Sequence, residues 1–373
     1  MVEYVIGTID EKDEIVDFIN YVFSQAHRPH DFITLMPKSY GDRAKNLGAV
    51  HYMAKKDGKI KALVAMRIID VCVGEKNLKY GLIGNVSVHP YSRGEGYMKQ
   101  LMQMSVDDAK KRGVDIMLLA GQRQRYGYFG FENAGACNCY TVSKANIRHC
   151  YSNLDTSNIK FRDFTDDDVS FAKKIYEKNE FHSIRPTDEF VDIMHTWNKN
   201  CRTIFQNGEP IGYVYGSMDE LALKDESDFP LILKAIFEND ALKEVKIKTH
   251  FHQRERSREL ARICESSSIE QVKMINVLNW EKAIDAFMNF KSKYVALQDG
   301  RLQISIEGDS FELIVSNGKI CVSKVDSSPK GAVKLSHMEA QRLIFSMCSV
   351  SDGDERFKNW LPLPLMIDAP DGY

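Results

Sequence analysis

The stretch Asn85-Val-Ser-Val-His-Pro-Tyr-Ser-Arg93-Gly94-Glu95-Gly96-Tyr97-Met98 carries the clearest chemical signal in the chain. Two glycines permit a tight turn. A helix opening just after them would aim several backbone N–H groups at one point, an arrangement that binds anions and above all phosphates. Arg93 adds a positive charge beside it. The Rossmann fingerprint would need a third glycine, and Tyr97 to Met102 contains none; the Gly-Lys-Ser/Thr of a P-loop is also missing. A second stretch, Arg125-Tyr126-Gly127-Tyr128-Phe129-Gly130-Phe131, offers two phenols that could donate a proton, although aromatic clusters are more often packing. His89 would be a base by residue type, but its place beside Pro90 at a strand end favours a turn or capping role.

A Gly-x-Gly means little unless strand and helix flank it. Here Leu82 to Val88 reads as a strand stopped by His89-Pro90, and the helix that follows carries Met98, Leu101, Met102, Val106 and Ala109 on one face. Gly113 fits a left-handed helix stop. Val114 to Ala120 is then a short, continuously apolar strand, so the order is strand, glycine loop, helix, parallel strand. Upstream, the acidic Asp10 to Glu14 precedes an amphipathic helix with Ile15, Phe18, Ile19, Val22 and Phe23, read as the first element. Val50 to Lys55 and Ile60 to Val73 form a hairpin across Asp57-Gly58. The first domain is predicted to be α/β.

From about Asn158 the order starts again, with a strand at Ile159 to Phe161, helices near Asp166 to Glu180 and Glu189 to Trp197, and a hairpin at Asn207-Gly208. Val245 to Thr249 and Arg254 to Cys264 continue the echo as strand and helix. Their link, His250 to Arg254, has no glycine, so the second copy is expected to have lost the loop's function. Beyond Asn279 come a helix at Trp280 to Phe290, strands at Leu302 to Ile306, Phe311 to Val315 and Ile320 to Val325, and a capping box at Ser336 to Glu339 opening a helix. The apolar, proline-spaced end from Trp360 to Tyr373 cannot be helical and is expected to dock in a groove.

At 373 residues the chain has room for two or three cores, and 43% hydrophobic and 27% charged residues describe an ordinary soluble protein. A formal net charge of -2 with no basic run argues against nucleic acid as a partner. No apolar run suits a membrane span and the acidic N-terminus does not suit a signal peptide, so a cytoplasmic location is expected. The eight cysteines are scattered. Only Cys137 and Cys139, on one face of a strand, invite a metal reading, and two ligands make no site.

The loop resembles that of the GNAT acetyltransferase superfamily, whose pyrophosphate loop reads Gln/Arg-x-x-Gly-x-Gly/Ala after a Val-x-Val strand. Arg93-x-x-Gly96-x-Met98 departs only at its last position. A bulky residue there, followed by Lys99 and later Leu101-Met102, is similar to the Eis-like (enhanced intracellular survival) branch. That resemblance implies tandem GNAT folds, each a mixed sheet flanked by helices, followed by a sterol-carrier-protein-like α+β domain: a catalytic domain at 1–153, a degenerate one at 154–278 and the third at 279–373. It also implies trimers paired into hexamers, acetyl-CoA as co-substrate with no metal, and a primary amine on an aminoglycoside, polyamine or lysine side chain as acceptor. Backbone contacts from Val86, Ser87 and Val88 would hold the pantetheine arm. Gly94, Glu95, Gly96, Tyr97 and Met98, with Arg93, would hold the pyrophosphate. Tyr126 would be the acid, and the α-carboxylate of Tyr373, at the end of the docked tail, would position the amine and assist proton loss. A non-catalytic acyl-CoA-binding or scaffold protein is the alternative, and lipid carriage by the third domain ranks behind both.

Overall fold

A computed structural model describes residues 1–26, 28–44, 47–326, 331–347 and 355–373, so Cys348 lies outside the described residues. The first part runs β1 (Val2–Ile6), α1 (Lys12–Ala26), α2 (Phe32–Leu35), α3 (Pro37–Tyr40), β2 (Val50–Lys56), β3 (Lys59–Val73), β4 (Lys76–Val88), α4 (Tyr97–Lys111), β5 (Ile116–Leu119), α5 (Arg123–Tyr126), β6 (Glu132–Ala134), β7 (Cys137–Ser143) and α6 (Lys144–Cys150). The second holds β8 (Ile159–Asp163), α7 (Val169–Tyr176), β9 (Phe181–Ser183), α8 (Phe190–Met194), β10 (Cys201–Gln206), β11 (Glu209–Tyr215), β12 (Glu220–Leu223), α9 (Phe229–Asn239), β13 (Glu244–Thr249), α10 (Arg254–Ile263), β14 (Ser266–Glu270) and β15 (Lys273–Val277). The third holds α11 (Trp280–Ser292), β16 (Gly300–Ile306), β17 (Asp309–Ser316), β18 (Lys319–Val325), β19 (Val333–Leu335) and α12 (His337–Phe345).

Two expectations change. The chain opens with a strand, not with the amphipathic helix: β1 pairs antiparallel with β2 as an edge strand, too short and exposed to show a period. The strand before the glycine loop starts at Lys76 rather than Leu82, because it forms a long hairpin with β3. The Asp57-Gly58 turn is as expected, both residues having the positive φ (54° and 75°) that a two-residue hairpin of this hand requires.

β5 explains how the core is layered. Its unbroken apolar run is buried on both faces, as a strand covered on both sides must be. Met117 and Leu119 pack with Leu101 and Met102 of α4. Ile116 and Leu118 pack on the other side with Trp280 and Phe287 of α11 and with the third part's sheet. The third part is therefore the back wall of the first sheet, and the apolar tail, with Trp360, Leu363 and Leu365 fully buried, closes it.

The sheets interleave across the expected limit at 153/154, whereas the third part's sheet holds only its own strands. β15 lies between β5 and β6 in the first sheet, and β7 lies between β13 and β14 in a three-stranded sheet of its own. Each unit thus donates a strand to the other. The interleaving also corrects the internal repeat. The counterpart of β4, glycine loop and α4 is β12, Lys224 to Asp228 and α9, and the counterpart of β5 is β13; the His250 to Arg254 link instead matches the approach to α5.

Glu132, on β6, ties the first unit to the third: its buried carboxylate accepts from Arg123 (2.5 Å) and from Arg342 of α12 (2.7 Å). Burial pushes its pKa up, but the two guanidinium bonds outweigh this and hold it at about 2. Such a carboxyl stabilises the fold above its unfolded pKa of ~4.3, and the contribution fades as pH falls toward 2. Glu132→Gln should cost about 2–3 kcal/mol near neutral pH, discounted because both arginines are half exposed. Urea denaturation should find that gap roughly halved at about pH 3; a gap independent of pH would contradict the assignment.

Candidate active site

β4 and β5 run parallel only from Tyr80 opposite Ile116 to Ile83 opposite Leu119. Beyond Ile83 they part. The cause lies in β4 itself: Asn85 takes φ 49° and the register with β3 slips there, a β-bulge that bends the strand. The segment from Gly84 to Val88 stays bonded to β3, while its other edge faces an open cleft. Val86 and Val88 stand half-exposed along it; the Ser87 side chain turns inward to the Asn85 carbonyl at 3.0 Å.

The chain then turns into α4. His89 accepts from the Tyr91 amide (3.3 Å) and stacks on Tyr21, which is the capping role expected of it. Gly94 (φ 86°) and Gly96 (φ 80°) take left-handed conformations that cost glycine nothing. Gly96 is the N-cap of α4 and offers no side chain to the helix's first amides, so those donors remain for a ligand. Glu95 is drawn aside by Lys56 (3.3 Å) and the Tyr97 hydroxyl (2.6 Å). The resulting cleft holds about 720 Å³ between Val22 and Phe23 of α1, the open edge of β4 and the loop. Arg93, Lys99 and Arg125 line it and make its mouth positive. Open strand edge, free helix amides and three cations fit a long, polyanionic ligand with an amide-bearing arm.

A second cavity of about 230 Å³ shares Phe23 and Val86 with the cleft. Tyr126 and Tyr373 both line it, with Asn85, His30, Phe32 and Trp197. The Tyr126 ring lies over Gly121, where a Cβ would overlap it. Burial raises the Tyr126 pKa and neighbouring Arg125 only partly offsets this, so the phenol keeps its proton at neutral pH. Tyr128 is 73% exposed and its hydroxyl accepts from Lys99 outside this cavity. The Tyr373 ring fills a slot above Gly84, its hydroxyl 2.9 Å from that of Tyr40. Asn85 donates to Tyr40 (2.6 Å), and Tyr40 in turn meets His51 Nε2 (2.8 Å). Buried Lys38 donates to the carbonyls of Pro370 (2.6 Å) and Gly372 (2.5 Å), fixing the last residues of the tail.

A family model for the acetyltransferase (GNAT) domain matches residues 4–134. The chain carries a GNAT acetyltransferase domain in an Eis-like fold. Eis1 from Mycobacterium abscessus superposes with a TM-score of 0.68 at 13% identity, each chain covered over 100%. A probable N-acyltransferase from Enterococcus faecalis V583 gives 0.71 at 15% identity, covering 98% of this chain and 97% of that one. A GCN5-related N-acetyltransferase from Anabaena variabilis gives 0.70 at 15%, covering 99% and 98%. At such identities the likeness is one of fold, and it extends over the whole chain. No curated protein sequence matches. The family match ends at Ala134, so β15, which completes the first sheet, comes from outside the matched span.

Several residues in or beside the two cavities carry no local sequence signal. Nothing local gives Arg125 a place at the cleft or Lys38 its hold on the tail, and Trp197 comes from the second unit. Trp197 and Asn198 both have positive φ (62° and 53°), and a bulky residue held there is strained, as functional residues often are. Asn85 did leave a trace: a polar residue interrupting a Val- and Ile-rich strand is a bulge signal. Cys137 and Cys139 are buried in β7. Among the described residues, the one three-ligand cluster is Glu220, Asp368 and Asp371, and Arg185 pairs with two of its members.

Proposed function

We propose that this acetyltransferase moves the acetyl group of acetyl-CoA to a primary amine held in the smaller cavity. The observation that carries the reading is the meeting of the two cavities at Phe23 and Val86, with phosphate-binding groups along one and Tyr126 and the chain's end at the other. The amides of Gly94, Glu95, Gly96, Tyr97 and Met98, with Arg93, hold the pyrophosphate. The open edge at Val86 to Val88, Ser87 included, pairs with the pantetheine arm as an added strand would. Bound this way, acetyl-CoA presents its thioester beside Tyr126, whose proton goes to the departing thiolate. The α-carboxylate of Tyr373 orients the incoming amine and assists its proton loss.

The acceptor is cationic in solution, and the aromatic rings of the cavity (Phe23, Phe32, Tyr126, Trp197) favour an ammonium with apolar stems, as on an aminoglycoside, a polyamine or a lysine side chain. We assign the catalytic, degenerate and sterol-carrier-protein-like domains to 1–153, 154–278 and 279–373, with the strand exchange crossing the first of these limits. Trimers paired into hexamers are part of the proposal; a monomer by light scattering would refute them.

Tyr126→Phe tests the reading. It should lower kcat by about 10²-fold while CoA binding, measured by calorimetry, stays unchanged. A purely CoA-binding scaffold would show no amine-dependent release of CoA thiol in either form.

A further inference from the structure

The second unit has a cleft at the place that matches the first unit's cofactor cleft. In the first unit the end of α1, the open edge of β4, the end of β5 and α5 supply the walls of its two joined cavities. In the second unit the matching elements, α7, β12, the end of β13 and α10, supply Tyr176, Glu220, His250 and Arg256 around only about 50 Å³. This cleft cannot take a coenzyme. Its loop, Lys224 to Asp228, has no glycine, and Asp225 caps the nearby Ser227 amide with its own carboxylate at 2.9 Å. The free edge of β12 is already used: Arg256 Nη1 donates to the Leu221 carbonyl (2.9 Å) while its other nitrogens grip Glu226.

The C-terminal tail fills the remaining space. Arg185, 1% exposed, donates through Nε and Nη2 to the Asp371 carboxylate (2.9 and 2.8 Å) and through Nη1 and Nη2 to Glu220 on β12 (2.9 and 2.7 Å). Its guanidinium lies 3.8 Å from the centre of the Tyr176 ring. The Tyr176 hydroxyl donates to Asp368 (2.7 Å), and His250 Nε2 stands 3.7 Å from the other oxygen of that carboxylate. Asp371 is two residues from the chain's end, and two residues of backbone reach no more than about 7 Å. Fixing Asp371 therefore fixes where the terminal carboxylate can be.

We infer that the second unit's vestigial cleft is the socket that sets the C-terminal carboxylate in the first unit's active site, with Arg185 as its positioning residue. This rests on the role proposed above for Tyr373. The degenerate copy thereby keeps a catalytic purpose without binding a cofactor. Removing the guanidinium leaves Asp371 and Glu220 crowded beside Asp368 and without their shared cation, which expels the tail.

The test uses the full chain with Arg185→Met, Asp371→Asn and a form lacking Tyr373. Calorimetric CoA binding confirms that each remains folded; release of the terminal tyrosine by a carboxypeptidase reports whether the tail is seated. Turnover is read with whichever of spermidine, kanamycin and a lysine peptide the wild type acetylates. Arg185→Met should free Tyr373 to the peptidase at least about tenfold faster and lower kcat/KM for the amine about 30-fold, with CoA affinity within about twofold. Arg185→Lys should recover part of both. If Arg185→Met does not fold, Asp371→Asn should show the same two changes at smaller size. Unchanged peptidase release and turnover in the folded variant would overturn the inference. Full turnover in the form lacking Tyr373 would overturn instead the role given to the carboxylate, while peptidase release would still report on the socket.

Discussion

Deleting Tyr373 should lower kcat/KM for the amine by about 10³-fold and leave acetyl-CoA affinity nearly intact. The deletion pulls the terminal carboxylate back by one residue, about 3.8 Å, and empties the slot above Gly84 that the ring fills. Neither change reaches the loop from Arg93 to Met98, where the coenzyme's charge is held. Tyr373→Phe separates carboxylate from phenol. It keeps the chain's end and loses the hydroxyl's contacts, among them those with Tyr40 (2.9 Å) and Asn85 (3.4 Å), at a cost of about 1 kcal/mol, so turnover should stay within about fivefold. Steady-state kinetics on the three proteins decide the matter. A deletion that keeps wild-type kcat/KM would remove the terminal carboxylate from the mechanism, and a Phe variant as impaired as the deletion would move the role to the phenol.

Gly96→Val should raise the dissociation constant and KM for acetyl-CoA by about 30- to 150-fold, the equivalent of about 2–3 kcal/mol, with kcat at saturation much less affected. A side chain at Gly96 meets nothing within 4 Å, so crowding is not the cause. The cost is conformational. At φ 80° a β-branched residue is strained, and relief of that strain rotates the peptide that opens α4 and swings its first amides away from the cleft. Because those amides act on a part of the coenzyme remote from the reacting carbon, the loss falls on binding. Calorimetry with CoA and the acetyl-CoA dependence of rate measure the two quantities. A variant that binds CoA as tightly as the wild type would show that the loop does not hold the pyrophosphate.

What could be read from the sequence is what depends on local rules. Asp57-Gly58 and Asn207-Gly208 stand at hairpin turns with positive φ at all four residues. The Ser336 to Glu339 capping box opens α12, and the unbroken apolar run of β5 is covered on both faces. The docked tail was legible from apolar side chains that no helix or strand could organise. What could not be read depends on pairings far apart in the chain. Periodicity shows that Lys273 to Val277 can be a strand but not that it slots between β5 and β6, and the same holds for β7 between β13 and β14. The matching of the second copy went one element out of step for that reason. Arg185 and Asp371 are separated by 186 residues, and nothing near either announces the other. Trp197 reaches the acceptor cavity from the second unit through a strained turn that no local pattern encodes.

The central claim is that the cleft between the parted ends of β4 and β5 holds the coenzyme, and a crystal structure with CoA bound tests it most directly. The account predicts the pyrophosphate within hydrogen-bonding distance of the amides from Gly94 to Met98, the pantetheine along Val86 to Val88, and the thiol between Tyr126 and the terminal carboxylate. Coenzyme density elsewhere, or a thiol directed away from the cavity shared by Tyr126 and Tyr373, would contradict it.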